Sequence, residues 1–488
     1  FDLMVRERVV PNHKTYTTLL NAWAKKDGKG DMDKVDEVYE RMKRDYEGGN
    51  KSVRPDGRFY SALSQIYISH GDAARAGVII DKMARDYDNG IKAAVPQAHL
   101  YADLISAMAR ANKPYAAEEY FQNMVRAYEM SGNERCRPNT VCYNALINAW
   151  ARVGEVKKAE NVYAAMTTDY NNGNVSARPN VITLSTVIRA WSNSKHRHAA
   201  SRAHAMLVDM ETTYEDTGRM KPNNIVYSTV MEAHARRGTK ESAALAFDLL
   251  QKLKSRYAAT GNDVDFKPNV WCYTKVMMAY ESSRQPQRVL DVFDELRRVY
   301  DDTGDKDYYP GCFTYACAIS AWSVSSLDDD AVPPPDLRIA KANDVYGRLM
   351  TAYAQDGHEE VRPDNIALGA LLHTCAVAAS DLTSSSTTTT TAAKDTARTK
   401  VKTLEIALRA LKHANELRLS LNHTAYEHLF RVVSLCMLND RNRSKVVKML
   451  WTYCTRTGNV GPVVLTYVKD LTSRDEFRAL AGGRDVED

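Results

Sequence analysis

RPNTVCYNALINAWARVGEVKKAENVYAAM, residues 137–166, returns in degraded form along a chain of 488 residues. RPDGRFYSALSQIY starts at Arg54, RPNVITLSTVIRAW at Arg178, KPNNIVYSTVMEAH at Lys221 and KPNVWCYTKVMMAY at Lys267, a period of roughly 41–46 residues. A fixed period of this size marks stacked supersecondary units, each unable to bury its apolar face alone. Function then rests on a long repeated surface, suited to holding something extended.

A proline opens each unit: Pro55, Pro96, Pro138, Pro179, Pro222, Pro268, Pro310 and Pro363. Proline stops the preceding helix and pre-sets the turn. The next residue is usually short and polar (Asp56, Asn139, Asn180, Asn223, Asn269, Asp364), a type that caps the helix that follows. This first helix, A, carries large residues seven apart, as in Tyr60/Tyr67, Tyr143/Trp150, Tyr227/His234, Tyr273/Tyr280 and Tyr315/Trp322. That spacing returns to one helix face and predicts a core stripe. The second helix, B, repeats a small residue, then large apolar residues at +4 and +7 and a tyrosine at +11. Ala159, Tyr163, Met166 and Tyr170 show it, as do Ala117, Phe121, Met124 and Tyr128. Such a pair of antiparallel helices packs on its neighbours in register.

The bulk numbers narrow the function. Hydrophobic content of 44% and charged content of 26% are those of a folded chain, and the net charge of +5 is small for this length. Nucleic-acid binding would therefore have to come from charge placement. The eight cysteines include no C-x-x-C pair, so buried thiols in a reducing compartment are expected. No run of about 18 apolar residues is evident, which argues against a membrane span. There is no phosphate-binding glycine loop and no H-E-x-x-H. The histidine-rich KHRHAA at 195–200 lacks acidic or cysteine partners at ligand spacing. No catalytic residue, metal site or cofactor is expected, and the chain is read as a non-enzyme. It opens at Phe1 already in the repeat pattern, and a targeting segment is expected ahead of it.

The proline–Asp/Asn start, V-x-Y-N-x-L-I-x-A in helix A and A-x-x-x-Y-x-x-M in helix B resemble the pentatricopeptide repeat family, over about residues 9–440. The resemblance implies an all-α fold, a right-handed α-solenoid superhelix of stacked antiparallel helix pairs. Expected boundaries are a partial repeat at 1–12, then eight repeats at 13–56, 57–97, 98–139, 140–180, 181–223, 224–269, 270–311 and 312–364. A ninth follows at 365–422 with a disordered insertion at 380–400, then a degenerate repeat and capping helices at 423–488. The units are longer than the family norm. The extra residues carry Tyr46, Tyr87, Tyr128, Tyr170, Tyr214, Tyr257, Tyr300 and Tyr353, each followed by a glycine, and are read as a lengthened helix B ended by a left-handed residue. An acidic, proline-rich loop is expected at 325–336.

In this family two side chains per repeat read one RNA base, and the resemblance carries the roles to Thr17/Asp56, Ser61/Gln97, Ala102/Asn139, Asn144/Asn180, Ser185/Asn223, Ser228/Asn269 and Thr274/Gly311. Thr/Asp implies guanine, Asn/Asn a pyrimidine and Ser/Asn adenine; the other pairs fit no familiar combination. The base-stacking residues would be Val141, Ile182, Ile225 and Trp271. Arg54, Arg137, Arg178, Lys221 and Lys267, just before the prolines, are phosphate candidates. Two alternatives stay open: the Asn and Asp column caps helices and does nothing more, or the chain is a protein-interaction scaffold. The implied partner is single-stranded RNA in a mitochondrion or chloroplast, in transcript stability, processing or translation. The scaffold reading would place it on a mitochondrial ribosome or another large organellar assembly.

Overall fold

The computed structural model describes residues 11–25, 31–91, 94–324, 332–384, 390–437 and 442–480. The described residues are helical and contain no strand. They fall into two compact units, 1–222 and 223–488. The expected partial repeat at 1–12 lies outside them except for Pro11 and Asn12.

In the first unit five helix pairs follow one another: α1 (His13–Ala24) with α2 (Met32–Glu47), α3 (Gly57–Ser69) with α4 (Ala73–Asp88), α5 (Ala98–Arg110) with α6 (Pro114–Ser131), α7 (Thr140–Arg152) with α8 (Val156–Asn171), and α9 (Val181–Asn193) with α10 (Ala199–Thr217). The second unit opens with α11 (Asn224–Arg237) and α12 (Lys240–Ala259), α13 (Val270–Ser282) and α14 (Pro286–Thr303), and α15 (Cys312–Ser320) and α16 (Pro335–Asp356). Then come α17 (Asn365–Ser384), α18 (Thr390–Glu416), α19 (His423–Cys436), α20 (Arg443–Arg456), α21 (Pro462–Leu471) and α22 (Arg474–Leu480). Within each unit a helix A packs on the next helix A and on its own helix B, so the pairs stack in chain order.

The core is the stripe the spacing predicts. Tyr60, Tyr67, Tyr143, Trp150, Leu184, Trp191, Tyr227, His234, Tyr273, Tyr280, Tyr315 and Trp322 are all buried. So are the small and apolar columns of helix B, from Ala76, Ile80 and Met83 to Ala246, Leu250 and Leu253, except the half-buried Tyr163. Burying a side chain of this size contributes about 1.5–3 kcal/mol, which makes the stacking of pairs the dominant stabilising term.

Two devices recur between the helices of a pair. The helix A tyrosine donates to an aspartate near the end of helix B: Tyr60 OH to Asp86 Oδ2 at 2.5 Å, Tyr143 OH to Asp169 Oδ2 at 3.1 Å, and Tyr16 to Asp45. After helix B a single 3-10 turn drops one apolar side chain into the core two residues before the proline. Val53, Ala94, Cys136, Ala177, Phe266, Tyr308 and Val361 occupy this place, all buried. Turn and neighbouring repeat are then stitched together. Asn174 Nδ2 donates to Pro138 O at 2.9 Å, Cys136 Sγ to Pro96 O at 2.9 Å and Thr140 Oγ1 to Arg178 O at 2.8 Å.

Helix B is long, 16 residues in α2, α4 and α8 and 22 in α16. The expected glycine end is met at Gly132, Gly218, Gly304 and Gly357, which cap their helices at φ of 60–67°. Gly48 departs from it: its φ is −73°, and Gly49 takes the left-handed conformation at +100°.

The segment 380–400 is not disordered where it is described. Residues 380–384 finish α17 and 390–400 begin α18, while 385–389 lie outside the described residues. The cause at the near end is Asp381, which is buried and paired with the equally buried Arg338 of α16. Fully desolvated charges hold only when so matched. At the far end the alanines and basic residues of 392–400 favour helix, and α18 continues into a buried stripe at Thr403, Ala407, Ala410, Leu411 and Ala414. Residues 325–331 of the acidic loop lie outside the described residues, and Pro335 already belongs to α16. Glu359–Ser384 is apolar enough over 18 residues, at a mean hydropathy of 1.4, to match a membrane helix in composition. With 56% of that window buried against its neighbours, it serves as a core helix.

Candidate nucleic-acid interface

Three turns of helix A build the exposed face. The third residue after each proline points outward, and the sixth lies one turn on. At the outward position Lys14, Arg58 and His99 are exposed in the first three repeats, and large apolar residues follow. Val141 is 61% exposed, Ile182 64%, Ile225 63%, Trp271 55%, Phe313 43% and Ile366 57%. These side chains are solvated in register while the same helices turn their Tyr and Trp stripe into the core. Trp271 and Phe313 stand side by side, ring centroids 6.4 Å apart. Phe313 and Ile366 were not singled out from sequence; counting three residues on from Pro310 and Pro363 would have found them.

The short polar column caps the helices. Asp56 Oδ1 accepts from Phe59 N at 2.9 Å, Asn139 Oδ1 from Val141 N at 3.0 Å and Cys142 N at 3.1 Å, and Asn180 Oδ1 from Thr183 N at 3.0 Å. Asn223 Oδ1 accepts from Val226 N at 3.1 Å and Asn269 Oδ1 from Cys272 N at 3.2 Å. Capping engages only the oxygen. Among the described residues the Nδ2 of Asn139, Asn180, Asn223 and Asn269 has no hydrogen-bond acceptor, so capping and recognition are compatible in one side chain. Gln97 and Gly311 stand at the same place without a side-chain cap.

The sixth-position hydroxyls turn back on their own helix. Thr17 donates to His13 O at 2.8 Å, Ser61 to Gly57 O at 2.5 Å, Ser185 to Val181 O at 2.6 Å and Ser228 to Ile225 O at 2.9 Å. Their oxygens remain acceptors for a donor arriving from outside. Among the described residues Asn144 Oδ1 is buried and has no hydrogen-bond partner. Ser61 and Gln97 come together in one groove of about 650 Å³ in the first unit, with Arg58 and His99 on its wall. Thr274 is different: it is 1% exposed and bonded to Val270 O and Thr314 Oγ1. Buried in this way, it cannot reach a base; Ala102 at the same position is also buried.

The phosphate candidates divide. Arg54 and Arg178 are exposed with no charged partner among the described residues. Arg137 lies over the Tyr128 ring at 5.4 Å and pairs with Glu134 at 3.3 Å. Lys221 is partly buried. Lys267 is neutralised: its Nζ is 2.7 Å from Asp305 Oδ2 and also meets Asp307, and hydrogen bonds to the two carboxylates push its pKa above the ordinary lysine range. It is therefore a structural ion-pair residue and not a surface cation.

Comparison with known families settles what these units are. A profile described as PPR repeat matches residues 134–167, and a second of the same description matches 14–46, 100–128 and 271–299. The chain carries PPR repeats. Members of this family generally bind organellar RNA and are typically non-catalytic. Among solved structures the PPR chain is similar to the crystal structure of the pentatricopeptide repeat protein PPR10 from maize. The identity is 16% and the TM-score 0.42, over 99% of this chain and 64% of that one. No curated protein matches the chain.

Proposed function

We propose that this PPR protein binds single-stranded RNA along the exposed face of its A helices, with incomplete one-base-per-repeat readout, in organellar transcript stability, processing or translation. One observation carries the reading: six successive repeats hold a large apolar side chain 43–64% exposed at the same helical position, and in four of them an asparagine two residues earlier (Asn139, Asn180, Asn223 and Asn269) caps the helix through its oxygen alone. Solvated apolar groups in register are unfavourable unless something covers them, and unpaired bases do so while their edges meet the short polar side chains. Exposed Trp271 makes the test direct. Single-stranded RNA is expected to quench its fluorescence, and Trp271→Ala with Phe313→Ala to weaken binding by about 1–3 kcal/mol for each base that no longer stacks. RNA affinity indifferent to both substitutions would refute the reading. Purification with a ribonuclease-resistant protein assembly would favour the scaffold alternative.

A further inference from the structure

Lys267, just before Pro268, faces the 3-10 turn of the next repeat, and the acids of that turn spend its charge. For Lys267 the residues five and three before the next proline, Pro310, are Asp305 and Asp307, and both bind it. The same two places after Lys221 hold Asp263 and Asp265. For Arg178 they hold Thr217 and Arg219, counted from Pro222. The other source of neutralisation is missing too: Glu134, which pairs with Arg137 from within its own turn, corresponds to Val175 in the turn of Arg178. One repeat thus replaces an acid pair with an arginine.

The consequence is a groove of about 710 Å³, within the first unit, whose walls include Tyr163, Tyr170, Arg178, Asn180, Thr217 and Arg219. Both arginines are exposed, and neither has a charged partner among the described residues. Thr217 spends its hydroxyl locally, donating to Thr213 O at 2.6 Å and accepting from Arg219 N at 3.2 Å, so it holds the turn that carries Arg219. Two guanidinium groups at one groove repel each other unless an anion lies between them, and planar arginine forks suit phosphate oxygens.

We infer that Arg178 and Arg219 form a phosphate clamp at the edge of the helix A face, which takes one or two backbone phosphates of a bound single strand. Asn180 ties the groove to the recognition face, because it lines this cavity and stands two residues before the exposed Ile182. A strand with a base at Ile182 would carry its phosphates past the arginines, an argument for RNA over an acidic peptide. The inference rests on the proposed RNA binding.

The test uses the full chain and a fluorescein-labelled pool of single-stranded RNA, with anisotropy measured across a salt series. Arg178→Gln with Arg219→Gln is expected to lower the slope of log affinity against log salt by roughly 0.7 for each phosphate no longer neutralised, so by about 0.7–1.4. A second variant, Thr217→Asp with Arg219→Asp, rebuilds the acid pair that Lys267 meets. It should fold at least as stably as the parent and show the same fall in slope. A parent chain that fails to bind RNA would refute the proposed function itself. A parent that binds, with both variants keeping its slope, would overturn the clamp alone. An unchanged RNA slope together with abolished binding to polyglutamate would overturn it in favour of an acidic protein partner.

Discussion

Asp169→Ala removes the acceptor of two hydrogen bonds at the heart of the fourth repeat. Tyr143 OH donates to Asp169 Oδ2 at 3.1 Å and Asn174 Nδ2 donates to the same oxygen at 2.7 Å. Asn174 keeps Pro138 O at 2.9 Å, but the Tyr143 hydroxyl belongs to a ring 5% exposed and is left without an acceptor. A hydrogen bond to a charged group is worth about 1.5–3 kcal/mol, and neighbours in one network do not add fully. The expected destabilisation is about 3 kcal/mol. Tyr143→Phe takes away the donor while Asp169 keeps Asn174, so it should cost only about 1 kcal/mol. The pair should couple by about 1–2 kcal/mol in a double-mutant cycle. Urea unfolding measures the total. Because stability in a repeat stack is spread over units and their interfaces, native-state hydrogen exchange is the sharper assay. Exchange should rise in 140–171 and not in 365–436. Asp169→Ala within about 0.5 kcal/mol of the parent, or strictly additive effects, would refute this role for the aspartate.

Thiol labelling at pH 8 should be negligible in the folded chain and reach all eight cysteines in denaturant. Seven of the eight are buried, and burial pushes the Cys136, Cys142, Cys272, Cys436 and Cys454 thiols up to about 11 and those of Cys312 and Cys375 to about 12. Mild acid should weaken the C-terminal repeats. Burial first, then His373 and Arg431, holds His428 down to about 4, and His373 is lowered by burial and Arg431, their rings 4.9 Å apart. A folded pKa below the unfolded one means stability present above about pH 6.5 and lost as pH falls toward 4, by about 1–3 kcal/mol with the rings partly solvated. Urea midpoints at pH 7 and pH 4.5 check it, and His428→Gln should remove part of the difference. At the alkaline end, burial and then the partner aspartates raise Tyr16, Tyr60 and Tyr143 above the ordinary tyrosine value of 10.0. Their contribution is whole below about pH 10 and fades above it, so a titration monitored by tyrosinate absorbance should show ionisation coincident with unfolding.

The period, the helix pairs and the core stripe could be read from the chain because each depends on spacing along one element. The caps were legible for the same reason: Asn139 needs only the amides of Val141 and Cys142. What spacing could not give was anything decided between elements. Asp45, Asp86 and Asp169 each precede a tyrosine of the +11 column, yet only packing reveals that they receive the helix A tyrosines. Lys267 matched the basic column, and its neutralisation depends on Asp305 and Asp307 about one unit later. Thr274 shared its register with Ser61 and Ser185, but Thr314 of the following repeat covers it. The order at 380–384 hangs on Arg338, more than forty residues earlier. At the candidate site, the count from each proline was enough to place Val141, Ile182, Ile225 and Trp271 at one exposed helical position.

Whether the helix A face reads bases at all is decided by sequencing the RNA enriched from a random single-stranded pool, for the parent and for Asn144→Ala with Asn180→Ala. Those two side chains are proposed to meet one base, so preference should vanish at a single nucleotide while the flanking preferences stay intact. No enrichment by the parent, or a variant profile identical to it, would contradict base reading by this face.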